Sequence, residues 1–427
     1  MKFIHTADLH LDSPLRGLAA YPDAPVERLR TATREAFEGL VNLAIDEAVD
    51  FMVIAGDIYD GDWRDFNTGL FFVRQMGRLR QAGIPVYLLY GNHDAESEIT
   101  KSLELPENVH VFSARKATSF RLDAHRVVLH GQSFRVAATE DNLLPGYPAP
   151  LPGWFNIGVL HTALEGNAAH ARYAPCSPGE LQAKGYQYWA LGHVHEPRVE
   201  RGDVTIAWPG NLQGRHIREC GPRGALLVSV EEDRVTDLAR LETDVLRWQL
   251  LTVDVSGAAN RSPVIRQVGQ ALGKLLDETP AHLPLAVRVV LVGHCAAHRE
   301  MRGFERQLRE EIIGQAVALD AGRLWIEKVK LETAPDTTGI ALPEEDLADA
   351  LSGLVRDARA AAEDAEFLAS LQQDLQNLLA KMPHEALQAV PALREWQLDP
   401  AAHLPASLER AADTLLARLQ MPDEPAN

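Results

Sequence analysis

The first half of the chain alternates short apolar runs with stretches of helical periodicity. Lys2–Thr6 reads as a strand, and residues 26–48 as a helix, with Leu29, Ala36, Leu40 and Ala44 at helical spacing. Phe51–Ala55 is a second buried strand, 66–82 a second helix, and Val86–Tyr90 a third strand. Ser119–Phe134 then alternates like a β-hairpin, and further strands are predicted at 157–160, 187–191, 204–208 and 224–231. Apolar strands interleaved with helices predict an α/β (α+β) class with two packed sheets flanked by helices.

The pattern restarts near Leu246. Leu250–Val255, Ala286–Val292 and Leu324–Leu331 read as strands, with helices over 263–277 and 300–316 between them. That is a small α+β unit in its own right. From Pro343 the chain reads as almost wholly helical. Proline at the first helical position, followed by Glu344, Glu345 and Asp346, suits a helix start facing its own dipole. Leu347, Leu351, Leu354, Ala358, Ala361, Ala365, Leu368, Leu375, Leu379 and Met382 keep a 4-3 spacing that Gln372 interrupts, and Leu408, Ala412, Leu415 and Leu419 form a second apolar stripe. The expected domains are 1–245, 246–335 and 336–427.

A length of 427 residues supports this division, being too long for one ordinary core. No run approaches the ~18 apolar residues of a membrane span, and a strand pattern beginning at Lys2 leaves no room for a leader peptide. Cys176, Cys220 and Cys295 fit neither a disulfide framework nor a zinc ribbon. A cytoplasmic protein with reduced cysteines is expected. The net charge is −18, and the segment from Pro343 onward, with 6 basic and 16 acidic residues, carries −10 of it. Such a chain does not hold nucleic acid by its own charge. It remains compatible with a nuclease whose bound cations, or whose partner subunit, supply the positive field.

The chemistry is concentrated at strand ends. Asp8-Leu9-His10 follows the first strand, Gly56-Asp57-Ile58-Tyr59-Asp60 the second, and Gly91-Asn92-His93-Asp94 the third. His161 follows Ile157–Leu160, and Gly192-His193-Val194-His195 follows Tyr188–Leu191. Any one of these motifs is unremarkable alone. Together they place Asp8, His10, Asp57, Asn92, His161, His193 and His195 where open α/β sheets carry their ligand sites. Asp57 is the candidate bridge between two cations, because the other six divide evenly around it. Asp8, His10 and His195 complete one metal, and Asn92, His161 and His193 the other. Two metals ~3.5–4 Å apart clamp a phosphate, activate water for in-line attack and stabilise the leaving oxygen. Mixed imidazole, carboxylate and amide ligands suit Mn2+ and also accept Fe or Zn. His93 is the candidate catalytic acid beside them. Asp12 and Asp60 are read as groups that orient the ligands. Arg16, Arg64, Arg215 and Arg218 lie near the motif loops as candidate phosphate contacts, although Arg16 and Arg64 read equally well as solvated arginines. His294 imitates a ligand motif, but its surroundings in sequence offer it no partners, and it is read as structural.

The ordered set Asp-x-His, Gly-Asp-x-x-Asp, Gly-Asn-His-Asp, His, Gly-His-x-His resembles the calcineurin-type metallophosphoesterases. Within them, the opening FIHTADLHLDSPLRGL and the run Trp208–Glu219 resemble the DNA-repair exonuclease branch that includes SbcD, and most closely the YhaO group. The resemblance is specific over residues 1 to about 230. It implies a four-layer β-sandwich flanked by helices, a small α+β capping domain and a C-terminal helical region. It also implies the seven ligands above with His93 as catalytic histidine, and a DNA exo- or endonuclease using two divalent metals. The implied partners are DNA, a coiled-coil ATPase subunit of SbcC or YhaN type gripped by the C-terminal helices, and a second copy of the chain. Where archaeal and eukaryotic relatives carry a further histidine, this chain has Asp60, which leaves that histidine's contribution without a bearer. The rival expectations are a phosphodiesterase or phosphatase of small substrates and a non-catalytic scaffold subunit.

Overall fold

The computed structural model describes residues 1–13, 26–60, 66–96, 103–164, 173–336 and 364–379, with a few isolated positions beyond. These divide into two compact units. One comprises Met1–Leu250 with Thr279–Arg288 and Gly322–Glu327, and the other Leu251–Glu278, Val289–Ala321 and the chain from Lys328.

The first unit contains two six-stranded sheets. In one, β1 (Lys2–Thr6), β2 (Phe51–Ala55), β3 (Val86–Leu89) and β4 (Val109–Val111) run parallel, β11 (Gly224–Glu231) adds antiparallel beside β1, and β12 (Arg234–Glu242) antiparallel beside β11. The other has the order β5 (Thr118–Leu122), β6 (Val127–Gly131), β7 (Phe155–His161), β8 (Tyr188–Gly192), β10 (Thr205–Trp208), β9 (Arg198–Glu200), with β6, β7, β8 and β10 parallel.

Strand parity explains the layering, since successive side chains point to opposite faces. Phe3, Phe51, Val53, Tyr87 and Leu89 from the first sheet meet Leu129, Phe155, Ile157, Val159, Tyr188 and Ala190 from the second in one buried core. Their neighbours Ile4, Met52, Ile54, Val86 and Leu88 face the other way. They pack on Phe37, Leu40 and Val41 of α1 (Val26–Asp46) and Phe72, Met76 and Leu79 of α2 (Phe66–Gln81). The outer face of the second sheet buries Leu160, Trp189, Leu191, Ile206 and Trp208 against Tyr147, Leu181 and Tyr186. Strands apolar on both faces are what parallel sheets covered on both sides require. The expected two-sheet sandwich is therefore present.

Three edge strands escape the hydrophobic pattern: β4, β9 and β12. β12, with sequence RVTDLARLE, has no buried residue. A third sheet has the order β13 (Arg247–Asp254), β14 (Leu285–Cys295), β15 (Leu324–Pro335). In the second unit, the helix Arg261–Asp277 starts two residues before its expected position because Asn260 caps it. The helix expected over 300–316 is two, His298–Gly303 and Glu305–Asp320, broken at Phe304. Of the C-terminal helices, Ala365–Leu379 is described and carries an exposed Phe367; most of the 4-3 stripe and the 408–419 stripe lie outside the described residues. Among the described residues no helix is long and apolar enough to cross a membrane.

Candidate metal centre

The loop after β1 zips onto the loop after β2: Asp8 N–H donates to Gly56 O (2.9 Å), His10 N–H to Asp57 O (3.1 Å) and Leu11 N–H to Ile58 O (2.9 Å). Asp8, His10, Asp57 and His193 all adopt positive φ, between 42° and 84°. Such backbone is unfavourable for side chains with a Cβ and persists where surrounding structure over-determines it. Tight packing also dictates two glycines. A Cβ on Gly91 would stand 2.3 Å from Asp57 Oδ1, and one on Gly192 would stand 2.0 Å from Ala55 O and 2.8 Å from His161 Nδ1.

The strand ends bring six of the seven candidates into two adjoining groups, Asp8/His10/His195 and Asp57/His161/His193, and a third group joins His10 to Asp60 and His93. Asn92 joins the second through its Oδ1, 3.0 Å from His161 Nε2. His10 Nε2 lies 3.1 Å from His195 Nε2, and His195 Nε2 is 3.9 Å from Asp8 Oδ1. His161 Nε2 is 3.3 Å from Asp57 Oδ2. Atoms sharing one ion at bonds of about 2.0–2.2 Å stand roughly 3–3.6 Å apart, so this donor set fits cations.

The ring tautomers point the same way. His161 Nδ1 donates to Ala55 O (2.9 Å), which leaves Nε2 as the ring nitrogen facing Asp57 and Asn92. Two imidazole Nε2 atoms face each other between His10 and His195, an arrangement that a shared cation satisfies and two N–H groups would not. Burial raises the Asp8 carboxyl to about 6 despite His195 and His161 nearby. Burial would raise Asp57 too, but the His161 imidazole overrides it and holds Asp57 below the ordinary carboxylate range. Burial would likewise depress His161, yet the Asp57 charge lifts it to about 9. These groups can hold divalent metal; the donor set does not select which.

His93 is half-exposed at the rim. Its backbone N–H donates to Asp57 Oδ1 (3.0 Å), and its Nδ1 lies 3.8 Å from Asp60 Oδ1. Asp60 Oδ2 accepts from Ser13 Oγ (2.8 Å), while Oδ1 is 3.4 Å from His10 Nδ1. Asp12 turns elsewhere. It accepts from Arg34 on α1 and Thr68 on α2, so its bonds are to the scaffold. Arg215 is largely buried, 3.5 Å from Asp60 Oδ1 and 3.3 Å from Glu219 Oε1, whereas Arg218 is exposed. Arg16 and Arg64 lie outside the described residues. His294 is exposed and belongs to none of the ligand groups.

Two buried carboxylates that motif spacing does not mark are also here. Asp94, inside the Gly-Asn-His-Asp motif, accepts the N–H groups of Ile58 (2.9 Å) and Tyr59 (3.1 Å) on Oδ1 and of Gly91 (3.0 Å) on Oδ2. Glu219 accepts from His195 Nδ1 (2.8 Å). Only the run's resemblance hinted at Glu219.

Comparison with known proteins agrees with the geometry. The calcineurin-like phosphoesterase model matches residues 1–197, and the model of the middle domain of metallophosphoesterase YhaO matches 248–334. The uncharacterized metallophosphoesterase YhaO of Bacillus subtilis is 36% identical over 297 residues, covering 69% of this chain and 72% of that protein. The DNA double-strand break repair protein Mre11 of Methanopyrus kandleri is 23% identical over 403 residues, covering 84% of this chain and 83% of that protein. Mre11 of Aeropyrum pernix is 27% identical over 255 residues, covering 53% and 57%. The chain belongs to the calcineurin-like metallophosphoesterases, a superfamily of metal-dependent phosphoester hydrolases, and is a YhaO-like member of it.

Proposed function

We propose that this protein is a two-metal phosphodiesterase acting on DNA, the catalytic subunit of an ATPase–nuclease complex. The observation that carries the reading is the convergence of seven donor side chains from five strand ends on two adjoining buried groups, beside a half-exposed histidine. Asp57 with Asp8, His10 and His195 would hold one cation, and Asp57 with Asn92, His161 and His193 the other. When bound, a pair of divalent cations, Mn2+ by our reading, neutralises the phosphate and acidifies the attacking water. The protein's own part is positional. Asp57 is pinned by the His93 N–H, and His161 by Ala55 O. His93 Nδ1 faces Asp60, so Nε2 is the atom that carries a proton to the leaving oxygen.

DNA is favoured by the similarity to proteins named for DNA double-strand break repair. The α+β domain at 246–335 would cap the site, and the helical region 336–427 would bind the ATPase coiled coil. The chain's net charge of −18 favours a second reading, a small phosphodiester substrate, unless a partner supplies the cationic surface. Mn2+-dependent degradation of end-labelled duplex and single-stranded DNA, with Asp57→Asn as control, tests the proposal. Cleavage lost in the variant supports it. Hydrolysis of bis(p-nitrophenyl) phosphate without DNA cleavage, even with the ATPase subunit added, would replace it with the second reading.

A further inference from the structure

His161 rests its Nδ1 on a neutral backbone carbonyl, Ala55 O, at 2.9 Å. His195 is backed differently, its Nδ1 2.8 Å from the carboxylate oxygen Glu219 Oε1, while His10 Nδ1 lies 3.4 Å from Asp60 Oδ1 without a hydrogen bond. Arg215 spans these two carboxylates, 3.3 Å from Glu219 Oε1 and 3.5 Å from Asp60 Oδ1. Its terminal nitrogen also stands 3.2 Å from His195 Nδ1, but it can only donate, and the closer Glu219 oxygen can only accept. His195 Nδ1 therefore carries the hydrogen, and Nε2 keeps its lone pair toward His10 and Asp8.

Glu219 divides its work between its oxygens. Oε2 accepts from Asn211 Nδ2 (2.9 Å) and from the Arg215 N–H (2.7 Å), which holds the loop Asn211–Glu219. Oε1 serves His195. We infer that Glu219 is a positioning residue that fixes the His195 tautomer and thereby governs the metal affinity of the Asp8/His10/His195 locus alone. This rests on the two-metal reading above. Carboxylate backing raises imidazole basicity, and losing such a partner costs 10–100-fold in metal affinity.

Glu219→Gln tests this sharply. With its carbonyl kept on Asn211 and the Arg215 N–H, the glutamine presents its NH2 to His195 Nδ1. That nitrogen must then accept, and the hydrogen moves to Nε2, the atom that faces the metal. Calorimetric titration of the metal-stripped full-length protein with Mn2+ should show two sites in the wild type. In Glu219→Gln one site should weaken 10–100-fold and the other should keep its affinity. In protein labelled with 15N-histidine, Glu219→Gln should also move one imidazole from the Nε2-lone-pair to the Nδ1-lone-pair tautomer. Equal weakening of both sites, or two undiminished sites, would overturn the inference. Failure of the wild type to take up two Mn2+ would instead refute the two-metal reading itself.

Discussion

Asp94 lies 1% exposed beneath the site and binds three backbone N–H groups from two different strand-end loops. Replacing it by asparagine removes one acceptor and no volume. The amide has two orientations. With its oxygen toward Ile58 and Tyr59 it keeps two of the three bonds, and its NH2 then faces the Gly91 N–H, donor against donor at the 3.0 Å where Oδ2 had stood. The flipped orientation orphans two donors and is worse. A buried N–H left unpaired costs about 1–3 kcal/mol. Burial and the Asp57 charge raise the Asp94 carboxyl to about 7, so the two surviving bonds lose charge assistance only above that pH. Asp94→Asn should therefore lower stability by about 2–4 kcal/mol above pH 7, and by less below it. Because Gly91 immediately precedes Asn92, the variant should also weaken Mn2+ binding. Urea unfolding with chelator present measures the first effect, and Mn2+ titration the second. A loss below about 0.5 kcal/mol would show that the three bonds do not hold the loops together, and the argument would fall.

Other consequences are open to direct measurement. His93→Ala should leave Mn2+ content near wild type while phosphodiester turnover falls about 10²–10⁴-fold; loss of metal would make His93 a ligand instead. Gly192→Ala drives a Cβ against the Ala55 carbonyl, which cannot rotate away, and should cost about 1–3 kcal/mol or more and displace His161. Normal stability and Mn2+ uptake in that variant would contradict the packing described. His5 is buried, its Nδ1 2.9 Å from Tyr188 OH and its Nε2 3.2 Å from Leu191 O, and burial lowers it to about 3. A histidine with a depressed folded pKa confers stability above its unfolded value of 6.5 and loses it as pH falls toward 3. Wild type should thus lose up to about 1.4 kcal/mol per pH unit relative to His5→Gln across that window, whereas parallel pH profiles in chelator would exclude His5 as the source. Removing residues after Pro343 should spare small-phosphodiester hydrolysis and abolish capture of the ATPase subunit; an unfolded product would place those helices in the core.

The two-sheet fold was readable wherever strands are apolar on both faces. Phe51–Ala55 coincides with its prediction because all five residues are buried. β12 was hidden because an edge strand with charged residues lacks that signal. The break at Phe304 was equally silent, since helical periodicity continues through it. The donor groups were readable because metal chemistry needs particular side chains right after a strand. Glu219 obeys no such spacing, and Asp94, though inside the third motif, shows its role only through its bonds. Glu219 acts on His195 across a loop and Asp94 on the segment after β2 as well as on Gly91, and only the folded chain shows the acceptor atoms meeting their donors.

Asp8, His10, Asp57 and Asn92 come from one sheet, and His161, His193 and His195 from the other. Each donor group is therefore a composite, and neither sheet alone carries a complete one. On the proposed ligand assignment, a cation would have no high-affinity home in a chain whose sheets have formed but not met. Metal would then select the docked state and stabilise it by mass action, in proportion to the logarithm of its concentration over Kd. During folding, metal uptake would lag strand formation and coincide with closure of the shared core around Phe3, Phe51 and Tyr188. The centre thus records its own assembly: a chain that binds its metals has already brought residues 8 and 195 together.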